Sequence, residues 1–169
     1  MEGPNPISRF DVELEIVEIN SLTSNLNSMA TIRRFEEMEI WQLAKKLAQD
    51  IFDTYINSEA FMQDYKLKDQ INGSSGSVMD NIAEGFERNS RNEFINFLSY
   101  AKGSTGEVKS QLYRALGRKY ISQETFDKLY LQADELARKI ASFIKYLNNS
   151  NYKGNKFKER VTTDSGISN

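Results

Sequence analysis

Cysteine and histidine, two residues with wide use in catalysis and metal binding, are absent from this chain of 169 residues. Without cysteine the chain cannot form disulfides, thiolate zinc sites or a thiolate nucleophile. Without histidine it lacks the usual general base near neutral pH and the commonest metal ligand. Serine–histidine–aspartate catalysis and imidazole metal sites are therefore excluded. A catalytic site would have to use carboxylates, lysine, tyrosine or arginine, which makes an enzyme less expected.

Long apolar runs are also missing. No segment approaches the roughly 18 consecutive apolar residues that a membrane-spanning helix requires. The N-terminus lacks the basic start and the apolar stretch of a secretion signal. A cytoplasmic protein without membrane contact is therefore expected. The net charge of −2 indicates no particular partner, and the length suits one domain with its own core.

Charge and composition divide the chain into three parts. Residues 1–32 carry one basic and five acidic residues. Apolar and acidic residues alternate from Phe10 to Ile16, which is typical of a strand, but no second strand follows to support it. We therefore predict that residues 1–32 are a flexible appendage, that residues 33–149 are the folded domain, and that the polar, slightly basic residues 150–169 are a disordered tail.

Four segments of the middle part have apolar residues at the three- and four-residue spacing of amphipathic helices. The first begins near Phe35, and its stripe is widened by Phe52. The others cover residues 67–82, 94–116 and 126–147, and the stretch "YINSEAF" is interpreted as a turn. Four such helices with short connections and no convincing sheet predict an all-α fold, an antiparallel up-and-down four-helix bundle.

Glycine and serine residues mark the predicted helix ends. Gly85 and Gly117 are placed where a left-handed residue would end the second and third helices. Ser90 and Glu93 have the spacing of a capping box at the start of the third helix. Ser122 is the expected N-cap of the fourth helix.

Two runs of small residues interrupt the middle helices, "NGSSGS" at 72–77 and "AKGSTG" at 101–106. Glycine inside a helix costs roughly 1 kcal/mol relative to alanine, so loop and helix are equally favoured for 72–77. A helix would be explained if the two runs faced each other in a closely packed antiparallel pair. The alternative is two kinks. Replacing Gly76 or Gly103 by leucine separates these hypotheses, because only close packing would make the change strongly destabilising.

The block "NIAEGFERNSRNEFINFLSYAKGSTGEVKSQL" resembles a known family, as do "EIWQLAKKLAQDIF", "KDQI" and "YISQETFDKL". The family is that of the four-helix bundle proteins associated with intervening sequences of bacterial 23S ribosomal RNA genes, often labelled S23. The resemblance runs from about Phe35 to Leu147. The positions that match the family's motifs are Trp41, Gln70, Asn81, Glu84, Gly85, Ser90, Glu93, Phe94, Gly103, Ser104 and Glu107.

The resemblance implies a small bundle that assembles into a homo-oligomer, a pentameric ring, with no known enzymatic activity and no cofactor. The family is similar to the accessory protein of diversity-generating retroelements, a pentameric bundle that binds nucleic acid and a reverse transcriptase. This chain departs from the family pattern on its second helix. Asn72 and Gly73 stand where members often have two basic residues, and Met79 stands where a proline is frequent. The lost positive charges weaken a nucleic-acid-binding role for that face.

The carboxylates nearest the central block are Glu84, Glu87, Glu93 and Glu107. Paired carboxylates can perform acid–base chemistry or bind a divalent ion. Metal-binding bundles usually combine them with histidine, which this chain lacks. We therefore expect no metal and no catalytic residue here. Glu107 is expected on the third helix, held by a polar neighbour in the bundle or at a subunit interface.

Seven basic residues lie between Gly85 and Ile121, against three acidic ones, which gives a local charge of +4. On one subunit a solvated helix face is the simpler interpretation. Repeated around a ring, the same residues would attract phosphate backbones. The candidate nucleic-acid-binding residues are Arg88, Arg91, Lys102, Lys109, Arg114, Arg118 and Lys119. The tail segment "YKGNKFKER" is a further basic candidate.

The sequence thus predicts a non-enzymatic, homo-oligomeric helical bundle that binds RNA or DNA. Its expected partners are other copies of itself, RNA or DNA, and a reverse transcriptase or another protein. The alternative is a protein–protein interaction scaffold with no nucleic-acid role. A carboxylate-based hydrolase is the weakest hypothesis.

Overall fold

The computed structural model of the protein describes residues 32–88 and 90–149. The chain divides into two compact units, Met1–Arg34 and Phe35–Asn169. All the helices of the described residues belong to the second unit. The appendage predicted for residues 1–32, except for Ile32, and the tail predicted from residue 150 lie outside the described residues.

Within the described ranges the chain is all-α and contains no strand. A single 3-10 turn at Phe35–Glu37 precedes five helices. They are α1 (Glu39–Ile56), α2 (Glu59–Gln63), α3 (Tyr65–Glu87), α4 (Arg91–Gly117) and α5 (Gln123–Asn149). The four long helices α1, α3, α4 and α5 pack against one another, which confirms the predicted all-α fold.

Contacts between α3 and α4 show that these helices run antiparallel. Asp64, at the start of α3, forms an ion pair with Arg118, just after the end of α4. Gly85, near the end of α3, lies against Phe97 in the first turns of α4. The connection between the two helices is correspondingly short, as in other up-and-down bundles.

Helix α1 lies between α3 and α5. Tyr55 in its last turn donates a hydrogen bond from its hydroxyl to Asn72 Oδ1 of α3 at 3.3 Å. Glu39 in its first turn accepts a hydrogen bond of 2.8 Å from Lys139, in the second half of α5. Helices α1 and α5 are therefore also antiparallel, and the bundle closes.

The apolar stripes of all four long helices meet in one core. Phe52 differs from the prediction: its side chain is 42% exposed, because it follows Ile51 by one residue and points away from the centre. The largest fully buried side chains are Leu47, Ile51, Phe61, Leu67, Ile71, Ile82, Leu98, Leu112, Leu129, Leu136, Ile140 and Leu147.

The turn predicted for "YINSEAF" is confined to Asn57 and Ser58, because the short helix α2 already begins at Glu59. Ser58 is its N-cap and accepts a hydrogen bond from the Phe61 N–H at 3.4 Å. Phe61 is only 1% exposed, and its ring stacks on Tyr120 with centroids 5.5 Å apart. The Ser58 hydroxyl also donates to the Tyr120 carbonyl at 3.0 Å. Burial of one aromatic ring thus orders a segment whose composition is typical of a turn.

Helix α3 continues without interruption through residues 72–77. The flanking apolar residues Ile71 and Val78 are buried, and this tertiary packing outweighs the low helix propensity of the segment between them. The predicted close approach through the glycines is wrong. Apart from the glycine, its chain neighbours and the nearby backbone of its own helix, no atom lies within 4 Å of where a Cβ would stand on Gly73, Gly76, Gly103 or Gly106. We call these four residues the open glycines.

Gly85 is the glycine that does meet a neighbouring helix. The prediction that it ends α3 in a left-handed conformation is wrong, because α3 continues to Glu87. Gly85 is buried, and a Cβ at this position would lie 2.6 Å from Phe97 Cβ and 2.9 Å from Phe94 Cδ2. Its missing side chain lets α3 and α4 approach closely.

Gly117 is likewise not a left-handed cap. It is the last residue of α4, and the left-handed residue is Lys119, with φ of 60°. The Tyr120 N–H bonds to the Ala115 carbonyl and the Lys119 N–H to the Leu116 carbonyl, both at 2.9 Å. These two bonds are those of a Schellman motif, in which glycine is the usual left-handed residue.

Two N-caps were predicted from the sequence, and a third is seen only in the structure. Ser122 accepts a hydrogen bond from the Thr125 N–H at 3.1 Å, which confirms the predicted cap of α5. Ser90 lies at the N-cap position of α4, but its side chain forms no capping hydrogen bond, so the predicted capping box is wrong. Asp64, which the sequence analysis missed, caps α3 by accepting from the Leu67 N–H at 3.1 Å.

Candidate functional site

The basic residues predicted to contact nucleic acid are spread along α4 and its two ends. Helix α4 has 27 residues and is therefore roughly 40 Å long. Lys109 lies on the side that faces α5, whereas Arg114 lies on the side that faces α3. The groups are Arg88 and Arg91 around the start of α4, which begins at Arg91, then Lys102 and Lys109 along it, and Arg114, Arg118 and Lys119 at its far end.

Arg88 at the α3–α4 junction is engaged within the chain. Its guanidinium forms a hydrogen-bonded ion pair with Glu84, one turn earlier on α3. That hydrogen bond raises the pKa of Arg88 above its ordinary value. The guanidinium carbon also lies 5.3 Å from the centre of the Phe97 ring, within the range of a cation–π contact. Both groups of the ion pair remain about half exposed.

The far end of α4 is tied to α3 by two arginines. Arg118 pairs with Asp64, and Arg114 Nη1 donates to Gln70 Oε1 at 2.9 Å. The hydrogen bond from the Leu67 N–H lowers the pKa of Asp64, and the charge of Arg118 lowers it further. Asp64 therefore serves both as the cap of α3 and as the ionic partner of α4.

The basic residues along the middle of α4 differ from one another. Lys109 Nζ lies 3.0 Å from Asp134 Oδ1 of α5 and 5.5 Å from the centre of the Tyr130 ring. Lys102 is exposed, as is Lys119 in the turn after α4. Neither of these two lysines forms an ion pair within residues 32–88 and 90–149.

Counting charges along the chain overestimated the positive field of this region. Three carboxylates from outside the counted segment, Glu84, Asp64 and Asp134, pair with its cations. Asp134 also pairs with Arg138, so including these three carboxylates and Arg138 gives eight basic and six acidic residues, which lowers the balance from +4 to +2. Asp64 and Asp134 are distant in sequence from their partners, so no local pattern could have identified them.

A polar cluster joins α3 to α4 at mid-height of the bundle. Ser74 Oγ lies 2.8 Å from the Gln70 carbonyl oxygen and 3.2 Å from Glu107 Oε2. It accepts a hydrogen bond from Gln111 Nε2 at 2.9 Å. Glu107 is exposed, but its carboxylate bonds to a polar neighbour on another helix of the bundle, one of the two placements expected from the sequence. The role of Gln111 was not predicted. It occupies a position of α4 whose helical spacing is that of a buried apolar residue, and its polar partner Ser74 is on another helix.

Three of the remaining family-motif residues, Trp41, Asn81 and Phe94, serve packing or local hydrogen bonding. The Trp41 and Phe35 rings meet edge to face, with centroids 5.2 Å apart. Asn81 Nδ2 donates to the Ser77 carbonyl at 2.7 Å within α3. Phe94 is 5% exposed, Glu93 and Ser104 are half-buried, and Gly103 is exposed.

Large apolar side chains are exposed at several points of the surface. Four of them lie close together in the chain, where α1 leads through α2 into α3. We call these four the turn patch: Phe52 is 42% exposed, Ile56 44%, Met62 37% and Tyr65 69%. The others are Tyr100, Tyr113 and Leu131.

The described residues contain neither a candidate metal site nor a candidate membrane span. Across residues 32–88 and 90–149, no three carboxylates come close enough together to hold a metal ion. In the same part of the chain, no helix combines the length and the apolar character needed to cross a membrane.

Comparison with known proteins identifies the family. The chain is similar over 63% of its length to a crystal structure of a protein of unknown function from the S23 ribosomal protein family of Bacteroides thetaiotaomicron. The match covers 98% of that protein with a TM-score of 0.59 and 24% identity, which shows a shared fold. No curated protein matches the chain. The model of the 23S rRNA-intervening sequence protein family matches residues 36–142. The chain therefore belongs to the 23S rRNA-intervening sequence protein family.

Proposed function

We propose that this protein is a non-enzymatic, cytoplasmic helical bundle that functions as a homo-oligomer. The observation that carries the proposal is the turn patch, where four large apolar side chains within 14 residues remain 37–69% exposed. Clustered apolar exposure is typical of surfaces that contact other protein molecules. The stoichiometry expected from the family resemblance is a pentamer, whose closed ring would repeat one surface contact five times.

The proposal is tested by light scattering of the purified full-length chain during gel filtration. We expect a mass several times that of the 19.4 kDa chain. Replacing Phe52 and Ile56 together by aspartate should convert the oligomer to a folded monomer, because charged residues are disfavoured in the centre of an interface. The matched control is Leu131→Asp, which also places an aspartate at an exposed leucine, here 64% exposed, but outside the turn patch.

The outcomes separate clearly. Helical circular dichroism should be the same for all variants. A wild-type protein that is monomeric at micromolar concentration contradicts the proposal. If the oligomer survives the double substitution but is lost with Leu131→Asp, the subunit contact lies on α5 and not at the turn patch.

Binding of RNA or DNA is the second candidate function. It is supported by two exposed lysines that form no ion pair with any described residue, Lys102 and Lys119, and by the cations at both ends of α4. The intramolecular partners oppose it, because a phosphate would have to replace Glu84 at Arg88 and Asp64 at Arg118. Repetition of these cations in an oligomer would strengthen their attraction for phosphate.

Fluorescence anisotropy with a labelled structured RNA tests this candidate at two salt concentrations. Phosphate contacts should make binding weaken steeply as salt increases. The joint change of Arg88, Arg91, Arg114 and Arg118 to alanine should abolish it. Asp64→Asn provides a sharper test, because it removes the partner of Arg118 while keeping a side chain that can cap α3. If Arg118 contacts phosphate, Asp64→Asn should strengthen binding.

A protein-interaction scaffold is the alternative outcome of the same experiment. Absence of RNA and DNA binding at low salt, together with a stable oligomer, would favour it. A reverse transcriptase or another protein stays a predicted partner, and a pull-down with the oligomeric wild type and the monomeric Phe52→Asp, Ile56→Asp variant would test whether assembly is required.

A further inference from the structure

The four buried polar residues of the described chain all lie on α3 and α4, in the middle parts of the two helices. Ser75 is 2% exposed and Thr105 0%, and both donate their hydroxyls to carbonyls of their own helix. Ser74 and Gln111, 7% and 8% exposed, bond to each other across the two helices. We call these four residues the polar layer.

One acceptor in the polar layer is unsatisfied. Gln111 Oε1 is buried and has no hydrogen-bond partner among the described residues. A buried polar atom without a partner loses its interaction with water and regains none in the fold. Any local opening that admits water would therefore recover part of this cost.

The open glycines lie in the same stretches of the two helices. Gly73 and Gly76 flank Ser74 and Ser75 on α3, and Gly103 and Gly106 flank Thr105 on α4. They are helical with no positive φ, and no neighbour occupies the space beside them. Close packing and special backbone geometry therefore do not account for them, although each weakens its helix relative to alanine.

Both ends of the α3–α4 pair are held more firmly. At one end Gly85 lies against Phe94 and Phe97. At the other end Asp64 caps α3 and pairs with Arg118. The part of the α3–α4 pair that contains the open glycines and the polar layer thus lies between apolar packing at one end and a cap with an ion pair at the other.

We infer that the α3–α4 pair contains a built-in opening point at the polar layer, where the two helices break backbone hydrogen bonds locally while the rest of the bundle stays folded. Two independent features lower the cost of this opening, the four glycines and the orphaned Gln111 acceptor. Local openings of this kind are cooperative units below the global stability. The inference does not depend on the proposed self-association.

Native-state hydrogen exchange of the full-length protein, read by mass spectrometry of overlapping peptides, tests the inference. Protection factors, corrected for intrinsic rates, should be at least tenfold lower for residues 74–78 and 104–108 than for residues 80–84 and 95–99, because each pair of glycines weakens its helix. Equal protection in the four segments would overturn the inference. So would higher protection at the layer, which a subunit interface covering the glycines would produce.

Two variants make the test specific. Gly73→Ala combined with Gly103→Ala should slow exchange in the polar layer by about tenfold, since alanine favours the helix and meets no neighbour. The control, Gly117→Ala, changes an equally open helical glycine at the end of α4. It should leave the exchange of the polar layer unchanged. If the control slows the layer as much as the double variant does, exchange proceeds by global unfolding and the inference is wrong.

Discussion

Two regions of the α3–α4 pair use glycine in opposite ways. At Gly85 the two helices approach so closely that a Cβ would lie 2.6 Å from Phe97 Cβ. At the open glycines, in the middle of the same pair, a Cβ would meet no atom within 4 Å. The residue type is the same, and so is its helical conformation. The difference shows that glycine in a helix reports close packing only when a neighbouring element occupies the space beside it.

The strongest way to test this comparison is Gly85→Ala. The added methyl group must displace Phe97 or the backbone, and overpacking of this kind destabilises by about 3 kcal/mol. Urea unfolding followed by circular dichroism measures the change, with Gly76→Ala as the matched control. Phe97→Ala should not rescue the variant, because alanine keeps the Cβ that causes the nearest contact. A loss below about 0.5 kcal/mol would mean that the helices separate at little cost.

The opposite change is expected at the open glycines. Gly76→Ala combined with Gly106→Ala should stabilise the protein by about 1–2 kcal/mol, because alanine reduces the conformational freedom of the unfolded chain and fits the helix without contact. Thermal unfolding should show a higher midpoint, and Gly76→Leu should be tolerated. Destabilisation by these changes in a folded oligomer would mean that another subunit covers the open glycines.

A third test concerns a left-handed position that lacks glycine. Lys119 has φ of 60°, a conformation that costs most residues about 1 kcal/mol and glycine nothing. Lys119→Gly should therefore raise the free energy of unfolding by about 1 kcal/mol. Lys119→Ala is the control, since it removes the charge but retains the backbone cost. Equal effects of the two substitutions would assign the gain to the charge.

The smallest effect is expected at the ionic end of the pair. The pKa of Asp64 is lowered in the folded state, so its carboxylate stabilises the fold above its unfolded pKa of about 3.9. This contribution is lost as the pH falls from about 3.9 through the lower folded-state pKa. Asp64→Asn should lower the urea midpoint at pH 7 and have a diminishing effect below pH 4. A difference that stays constant from pH 7 to pH 2.5 would contradict this assignment.

Most of the fold could be predicted from local patterns. The four apolar stripes identified the four long helices, and Ser122 identified the start of α5, because periodicity and caps are properties of residues close in sequence. Helix α2 was missed, since Phe61 is ordered by contact with Tyr120, which is distant in the chain. Local sequence could not decide between loop and helix at residues 72–77 for the same reason. The helix is stabilised by the burial of Ile71 and Val78, which depends on other helices.

The candidate site was predicted less well. The seven cations lie along α4 and at its two ends, on more than one side of the helix. The carboxylates of Asp64 and Asp134 reach two of them, Arg118 and Lys109, from other helices. The Ser74–Gln111 bond also joins residues 37 positions apart. A count along the chain cannot include such partners, so it overestimated a positive charge that the folded molecule partly neutralises.

The sequence by itself determined that the chain has no thiol or imidazole chemistry, and that its middle part forms four amphipathic helices with a common core. These properties depend on composition and on short-range spacing. Only the tertiary structure decided which glycine admits a neighbouring helix, which cations are paired and which apolar residues stay exposed. Each of these depends on atoms contributed by another helix, and such contacts exist only once the bundle has formed.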